Sequence, residues 1–191
     1  MQKVILVFEG LPASGKTTIA DILRDRHGFF KVNESQGKFN NLDAVKDQRA
    51  VFEDTIEKYK LAKEIDLPVI IDRGYPSMLA WDYCANRMGV SRDLEEKEKW
   101  VKDALEKSDL FEPDLYIYFV SNPKISFQRR PRKEIAADLW SGEMGMNHCQ
   151  IFYEEFFKIM SHSSQNVLSI EASLSPNKTM EIILKCLNQK R

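Results

Sequence analysis

The chain is poor in cysteine and histidine and carries almost no net charge, and each shortage removes a class of function. Its three cysteines, Cys84, Cys149 and Cys186, are odd in number and far apart, with no C-x-x-C pair and no Cys/His cluster. A disulfide framework and a zinc site are therefore not expected; free thiols in a reducing cytosol are. The three histidines, His27, His148 and His162, form no motif. The formal net charge is -1. A chain this balanced has no general attraction to nucleic acid or to an anionic membrane, so any basic site must be local. No apolar run approaches the ~18–20 residues that a membrane helix needs. The sequence opens directly on an apolar run that reads as a strand, and no leader peptide is expected before it. A cytoplasmic protein without nucleic-acid or membrane partners is the expectation.

What is present is an ordinary globular composition, 43% hydrophobic and 30% charged over 191 residues. One domain spanning 1–191 is expected, since no repeat, low-complexity linker or shift in composition divides the chain. Apolar, β-branched runs at 3–8, 29–33, 68–72, 114–120 and 166–170 read as strands. Between them, helical periodicity runs over 16–26, 43–66, 76–88, 93–107, 123–131, 146–162 and 176–189. Strands alternating with helices predict an α/β fold built on a parallel sheet. Runs such as Val69-Ile70-Ile71 are apolar without alternation, which fits a sheet covered on both faces. Asp93-Leu94-Glu95-Glu96 reads as a capping box, and Ser175-Pro176 as a cap before a first-turn proline.

The most informative segment runs from Gly10 to Thr17, Gly-Leu-Pro-Ala-Ser-Gly-Lys-Thr. It matches G-x-x-x-x-G-K-[ST], the Walker A pattern, between an apolar strand and a helical pattern, the context this motif requires. Gly10 and Gly15 allow close approach of the backbone. The amides of Ala13, Ser14, Gly15, Lys16, Thr17 and Thr18 can form an anion nest at the positive end of the helix. Lys16 would reach the outer phosphates of ATP, and Thr17 would offer its hydroxyl to Mg2+. A GTPase should also carry N-K-x-D, and Asn177-Lys178-Thr179-Met180 lacks the aspartate.

A second signature, Asp72-Arg73, ends the apolar run 68–72. Ligands of parallel sheets bind at the carboxyl ends of the strands, where the phosphate loop also lies. Asp72 is thus a candidate to hold Mg2+. Arg73 is a candidate to meet a transferring or acceptor phosphate, since its planar fork suits paired oxygens. The stretch Asp72-Arg73-Gly74-Tyr75-Pro76-Ser77-Met78-Leu79-Ala80-Trp81 resembles the D-R-Y-x-x-S-x-x-A-[YW] segment of thymidylate kinases, and is similar to the E-R-S-x-x-S segment of deoxynucleoside kinases. Phe8-Glu9-Gly10 resembles the F-E-G opening of the same superfamily, and Pro113-Asp114-Leu115 with Asn122-Pro123 resembles its P-D-L strand and following helix. Three departures stand out. Pro12 replaces an aspartate inside the loop, Asn33-Glu34-Ser35-Gln36-Gly37 replaces R-E-P-G-G, and Gly74 replaces the tyrosine of D-R-Y. All three remove groups that thymidylate kinases place around their acceptor.

The resemblance implies a three-layer P-loop kinase fold, with a central five-stranded parallel sheet, helices on both faces and a mobile lid at about 129–146. It implies that Glu34, at the tip of the second strand, accepts the proton of a hydroxyl acceptor. A neutral hydroxyl must lose its proton during attack, whereas a phosphate acceptor is already ionised. It places the run Arg129, Arg130, Arg132 in the lid, where the guanidinium groups would stabilise the transferring phosphate. The two glycines of 138–145 could hinge that lid. Among aromatic residues, Phe39, Tyr75, Trp81, Tyr83 and Trp140 lie in segments that should border the acceptor, and a ring there could stack on a base. Phe39, Tyr75 and above all Trp81, together with Glu34 and Arg73, are the candidate acceptor-binding residues. Phe152, Tyr153, Phe156 and Phe157 crowd one helix and read as core.

The expectation is a small-molecule kinase using ATP and Mg2+. Its catalytic candidates are Lys16, Glu34, Asp72, Arg73, Arg129, Arg130 and Arg132, with Thr17 and Asp72 at the metal. The acceptor is a nucleoside or a nucleoside monophosphate. A kinase of a non-nucleotide hydroxyl, or a module that senses ATP without transfer, remains open beside it. The family likeness also implies dimerisation through the helices near 43–66 and 76–88.

Overall fold

The computed structural model describes residues 3–34, 44–129, 142–163 and 166–189, with the side chains of 44–48 and 163 left aside. Phe39, Arg130, Arg132 and Trp140 therefore lie outside the described residues.

Five strands form one parallel sheet in the order β2-β3-β1-β4-β5. They are β1 (Ile5–Gly10), β2 (Phe30–Val32), β3 (Val69–Asp72), β4 (Leu115–Val120) and β5 (Val167–Glu171). Seven helices are described: α1 (Lys16–His27), α2 (Ala44–Glu64), α3 (Tyr75–Arg87), α4 (Leu94–Glu106), α5 (Pro123–Arg129), α6 (Glu143–Ser163) and α7 (Pro176–Gln189). The expected fold class, α/β with a central five-stranded parallel sheet, is the observed one. Each expected strand and helix is present, shifted by at most three residues at an end.

Both faces of the sheet are covered, as its unbroken apolar strands require. Leu6, Phe8, Ile70, Leu115, Ile117 and Phe119 point to the layer of α1 and α7, where Ile19, Leu23, Met180 and Ile183 meet them. The alternate residues Val7, Ile71, Tyr116 and Tyr118 point to the layer of α2, α3, α4 and α6. The α6 aromatics lie in that second layer: Tyr153 and Phe157 stack with ring centroids 6.1 Å apart, and Phe157 stacks on Tyr118 at 4.8 Å. Local signals act as expected. Asp93 caps α4 by accepting from the Glu96 amide at 2.8 Å, and Ser175 Oγ accepts from the Lys178 amide at 3.3 Å. Asn122 does the same for α5, accepting from Lys124 N at 2.9 Å.

Two boundaries differ from the sequence reading for physical reasons. The first strand runs two residues beyond 8, because Glu9 and Gly10 continue the ladder to β4, pairing with Tyr118 and Phe119. A charge and a glycine look like the start of a loop, but here both are buried in the sheet. The last helical stretch before β5 begins at Glu143. Gly145 is therefore not a hinge: it is buried within α6, and its carbonyl accepts from Cys84 Sγ of α3 at 3.3 Å.

The strand order places β3 directly beside β1, with Phe8 opposite Asp72. From this centre the chain leaves toward β2 on one side and β4 on the other. The carboxyl end of β1 is thus the switch point where ligands of such sheets collect.

Candidate active site

The loop after β1 has the backbone that its glycines predict. Gly10 adopts φ 133°, and a Cβ there would lie 2.5 Å from the Phe119 carbonyl oxygen. Gly15 closes the loop at φ 93° as the left-handed cap of α1, without a side-chain cap bond. Ala13, at φ 55°, is left-handed without being glycine, a strain that tight functional loops retain. The first amides of α1 are thus left to an external acceptor, and the helix dipole favours an anion.

Lys16 is buried at the base of this loop, only 5% exposed. Its ammonium donates to the carbonyls of Gly10 (3.0 Å) and Leu11 (2.7 Å) and to Ser14 Oγ (3.2 Å). Burial first, and the Arg73 charge second, push Lys16 down to about 7. Thr17 is exposed, and its hydroxyl donates to Asp72 Oδ2 across 3.4 Å. Asp72 ends β3 and is buried, yet its other oxygen, Oδ1, has no hydrogen-bond partner among the described residues. Lys31 of β2 stands 3.9 Å from Asp72 Oδ2 and 2.9 Å from Asp21.

Arg73 follows at φ 63°. Its guanidinium donates through Nη1 to the Gly10 carbonyl (2.9 Å), Ser77 Oγ (3.2 Å) and Tyr153 Oη (3.4 Å), while Nε meets Glu34 Oε1 at 2.5 Å. Burial disfavours its charge, but Glu34, Tyr153, Glu9 and Asp72 outweigh that and hold it more firmly protonated than usual. For Glu34, burial works upward, while Arg73, Lys16 and Lys58 work downward and win. Its carboxyl therefore lies below its ordinary value. Lys16 and Arg73, expected from different parts of the chain, thus meet at the carbonyl of Gly10, with Glu34 paired to Arg73 and Thr17 bonded to Asp72 beside them.

Other expected residues stand elsewhere. Tyr75 does not face an acceptor space. It is 3% exposed, its hydroxyl donates to Glu112 at 2.8 Å and accepts from Tyr116 at 3.0 Å, and its ring lies 6.2 Å from those of Tyr59 and Phe156. The first turn of α3 is turned into the core, a rotation that residue spacing does not reveal. Trp81, about 9 Å further along α3 at 1.5 Å per residue, is half-buried against the same core layer. Tyr83 packs on Phe152, with ring centroids 5.7 Å apart. Arg129 ends α5 exposed, and donates to the carbonyl of Ala172 after β5 at 3.3 Å, so it does not join the group at Gly10.

Several site residues were missed. Glu9 is fully buried; its Oε1 accepts from the Gly74 amide at 2.7 Å, and its Oε2 accepts from Ser77 Oγ and from Tyr153 Oη, the latter at 3.3 Å. Burial raises Glu9 above its ordinary value despite Ser77, Arg73 and the Gly74 amide. Lys58 of α2 reaches the carbonyls of Asp72 and Arg73. The F-E-G likeness could have exposed Glu9, but nothing marks Lys58 or Lys31 among ordinary amphipathic lysines.

Gly74 has its own reason. A Cβ there would lie 2.5 Å from the Tyr59 hydroxyl and 3.0 Å from Val7 Cγ1, in a place with no free space. Gly74→Ala should destabilise the fold by about 1–3 kcal/mol, the usual cost of overpacking. Urea unfolding of the two proteins checks this, and an unchanged midpoint would contradict the packing described.

No protein-family model and no curated protein sequence matches the chain. Solved structures do. A deoxyadenosine kinase from M. mycoides, with the products dCMP and a flexible dCDP bound, superposes at a TM-score of 0.79 with 19% identity over 97% of this chain and 99% of that one. The fold is that of the P-loop nucleoside and nucleotide kinases. The same deoxyadenosine kinase with dATP gives a TM-score of 0.77 at 19% identity, covering 96% of this chain and 99% of that one. Thymidylate kinase from Candida albicans gives 0.74 at 13% identity, covering 99% and 92%. A kinase-like fold over nearly its whole length is therefore observed. None of the described helices is long and apolar enough to cross a membrane.

Proposed function

We propose that the chain is an ATP-dependent kinase whose acceptor is a nucleoside or a nucleoside monophosphate, with a nucleoside hydroxyl favoured. The observation that carries this reading is the Glu34–Arg73 pair, set against the phosphate loop through the Arg73 bond to the Gly10 carbonyl. A module that only senses ATP has no use for a carboxylate and a guanidinium at that point. The likeness in fold to a deoxyadenosine kinase supports the nucleoside side of the reading.

In this reading the loop amides and Lys16 hold the outer phosphates of ATP, with phosphate oxygens replacing the carbonyls that Lys16 now contacts. Mg2+ fits the residues present, because the buried Oδ1 of Asp72 lacks a partner among the described residues and the Thr17 hydroxyl lies alongside. Among the described residues no cluster of three or more acidic, His or Cys groups could hold a metal by itself, so the ion would share its site with the nucleotide phosphates. When bound, it would neutralise charge on those phosphates. The acceptor oxygen attacks the terminal phosphorus, the bond to the bridging oxygen breaks, and ADP leaves with the electron pair. Glu34, ionised because of Arg73, takes the hydroxyl proton. Arg73 stabilises the charge spread over the transferring group.

Glu34→Gln tests the acceptor. With a hydroxyl acceptor, kcat should fall by about 10²–10⁴, the usual worth of a general base, while the KM for ATP stays close to that of the parent. A steady-state rate unchanged by the substitution would instead favour an acceptor that is already a phosphate. The thiols of Cys84, Cys149 and Cys186, none in a disulfide, suit a reducing cytosol as the place of action.

A further inference from the structure

Arg73 holds a left-handed backbone, φ 63°, that costs an ordinary side chain about 1–2 kcal/mol. Such strain persists only where the surroundings over-determine it. Every polar backbone group around this residue is held. The Arg73 amide donates to the Phe8 carbonyl at 3.1 Å. The Asp72 and Arg73 carbonyls both accept from Lys58 Nζ, at 2.9 and 2.5 Å. The Gly74 amide donates to Glu9 Oε1 at 2.7 Å. Lys58 comes from the second-layer helix α2 and Glu9 from the central strand β1, so two charged side chains distant in sequence close on one turn. Both fix the peptide groups that aim the Arg73 guanidinium.

We propose that Lys58, acting with Glu9, is a positioning residue that clamps the Asp72–Arg73–Gly74 turn and so aims the Arg73 guanidinium at the transferring phosphoryl group. The catalytic part rests on the kinase reading above; the clamp itself does not. Lys58 has an amphipathic helix position that would ordinarily put its ammonium in water. Here it is drawn under the strand end, where its charge also faces Asp54, Glu9, Glu34 and Asp72. Glu9, for its part, has no free oxygen: Gly74 takes one, and Ser77 and Tyr153 take the other. A guanidinium misplaced by 1 Å can cost about a hundredfold in rate, so a loosened clamp should appear in turnover rather than in ground-state binding.

The test uses the full chain with Lys58→Met, which keeps the length of the side chain and removes its donors, and Lys58→Gln should the methionine variant not fold. Amide hydrogen exchange at Gly74 and Arg73 is measured first. The clamp predicts at least tenfold faster exchange at both, with the remainder of β3 unchanged. Exchange no faster than in the parent would overturn the proposal whether or not the protein is a kinase. Steady-state kinetics follow. The expected result is a kcat reduced tenfold or more, with the KM values of ATP and acceptor within about twofold of the parent. On an Arg73→Ala background, Lys58→Met should cost nothing further, because it acts only through Arg73. A full additional loss on that background would show a general structural role and contradict the positioning one. A parent protein that phosphorylates no acceptor would remove the kinase reading, while faster exchange at Gly74 would still support the clamp.

Discussion

Lys16→Ala should abolish phosphoryl transfer, lowering kcat/KM by about a thousandfold or more, while the chain stays folded. The size follows from the task. Charge builds on the phosphates as the terminal group leaves, and removing one fixed group that meets developing charge typically costs about 10²–10³ in kcat. Lys16 adds to this the binding of the phosphates before transfer. The small effect on folding follows from its surroundings. The buried ammonium is held by two carbonyls and Ser14, and burial already drives it down to about 7. Its loss therefore removes a poorly solvated charge along with three hydrogen bonds. The Gly10 carbonyl keeps its bond from Arg73. A coupled ADP-release assay and urea unfolding, run on both proteins, check the two halves; retained activity would contradict the role given to the loop.

Arg73→Lys should cost nearly as much, about 10²–10³ in kcat, although the charge is kept. An ammonium is a point donor, whereas the guanidinium here serves Glu34 through Nε and the Gly10 carbonyl, Ser77 and Tyr153 through Nη1 at once. A lysine reaching this place can satisfy one side of that fork. Stability should respond differently. Arg73→Gly should unfold at a higher urea concentration than Arg73→Ala, because only glycine adopts φ 63° without penalty. The difference between the two, about 1 kcal/mol, measures the strain that the turn holds. Equal stability would mean that the left-handed backbone carries none.

The fold was legible because its signals are local and redundant. Unbroken apolar strands such as Val69-Ile70-Ile71 and caps such as Asp93 and Ser175 each point to the same elements the structure contains. The grouping of the candidate residues at the strand ends was legible for a related reason. Gly10–Thr17 and Asp72-Arg73 lie at strand ends, and a parallel sheet gathers its strand ends on one side. What sequence could not supply was side-chain direction. Tyr75 sits one turn before Met78 and Leu79 on a helix buried almost all round, so nothing in the periodicity says that its ring turns inward to Glu112 and Tyr116. Lys58 has the opposite problem: a lysine on an amphipathic helix reads as a solvent residue, and only the tertiary fold brings it beneath Arg73. Gly74 shows how a departure becomes intelligible. The likeness to D-R-Y marks it as a missing tyrosine, whereas the structure fills that place with the Tyr59 hydroxyl.

The central claim is transfer of a phosphoryl group from ATP to a nucleoside-type acceptor. The most direct measurement incubates the protein with ATP, Mg2+ and a panel of deoxynucleosides, their monophosphates, and non-nucleotide sugars and alcohols, and identifies every phosphorylated product by mass. The account predicts a product from at least one nucleoside or nucleoside monophosphate, absent in Lys16→Ala, and, for a nucleoside, strongly reduced in Glu34→Gln. Tight ATP binding with no product from any acceptor, or product from non-nucleotide hydroxyls alone, would contradict it.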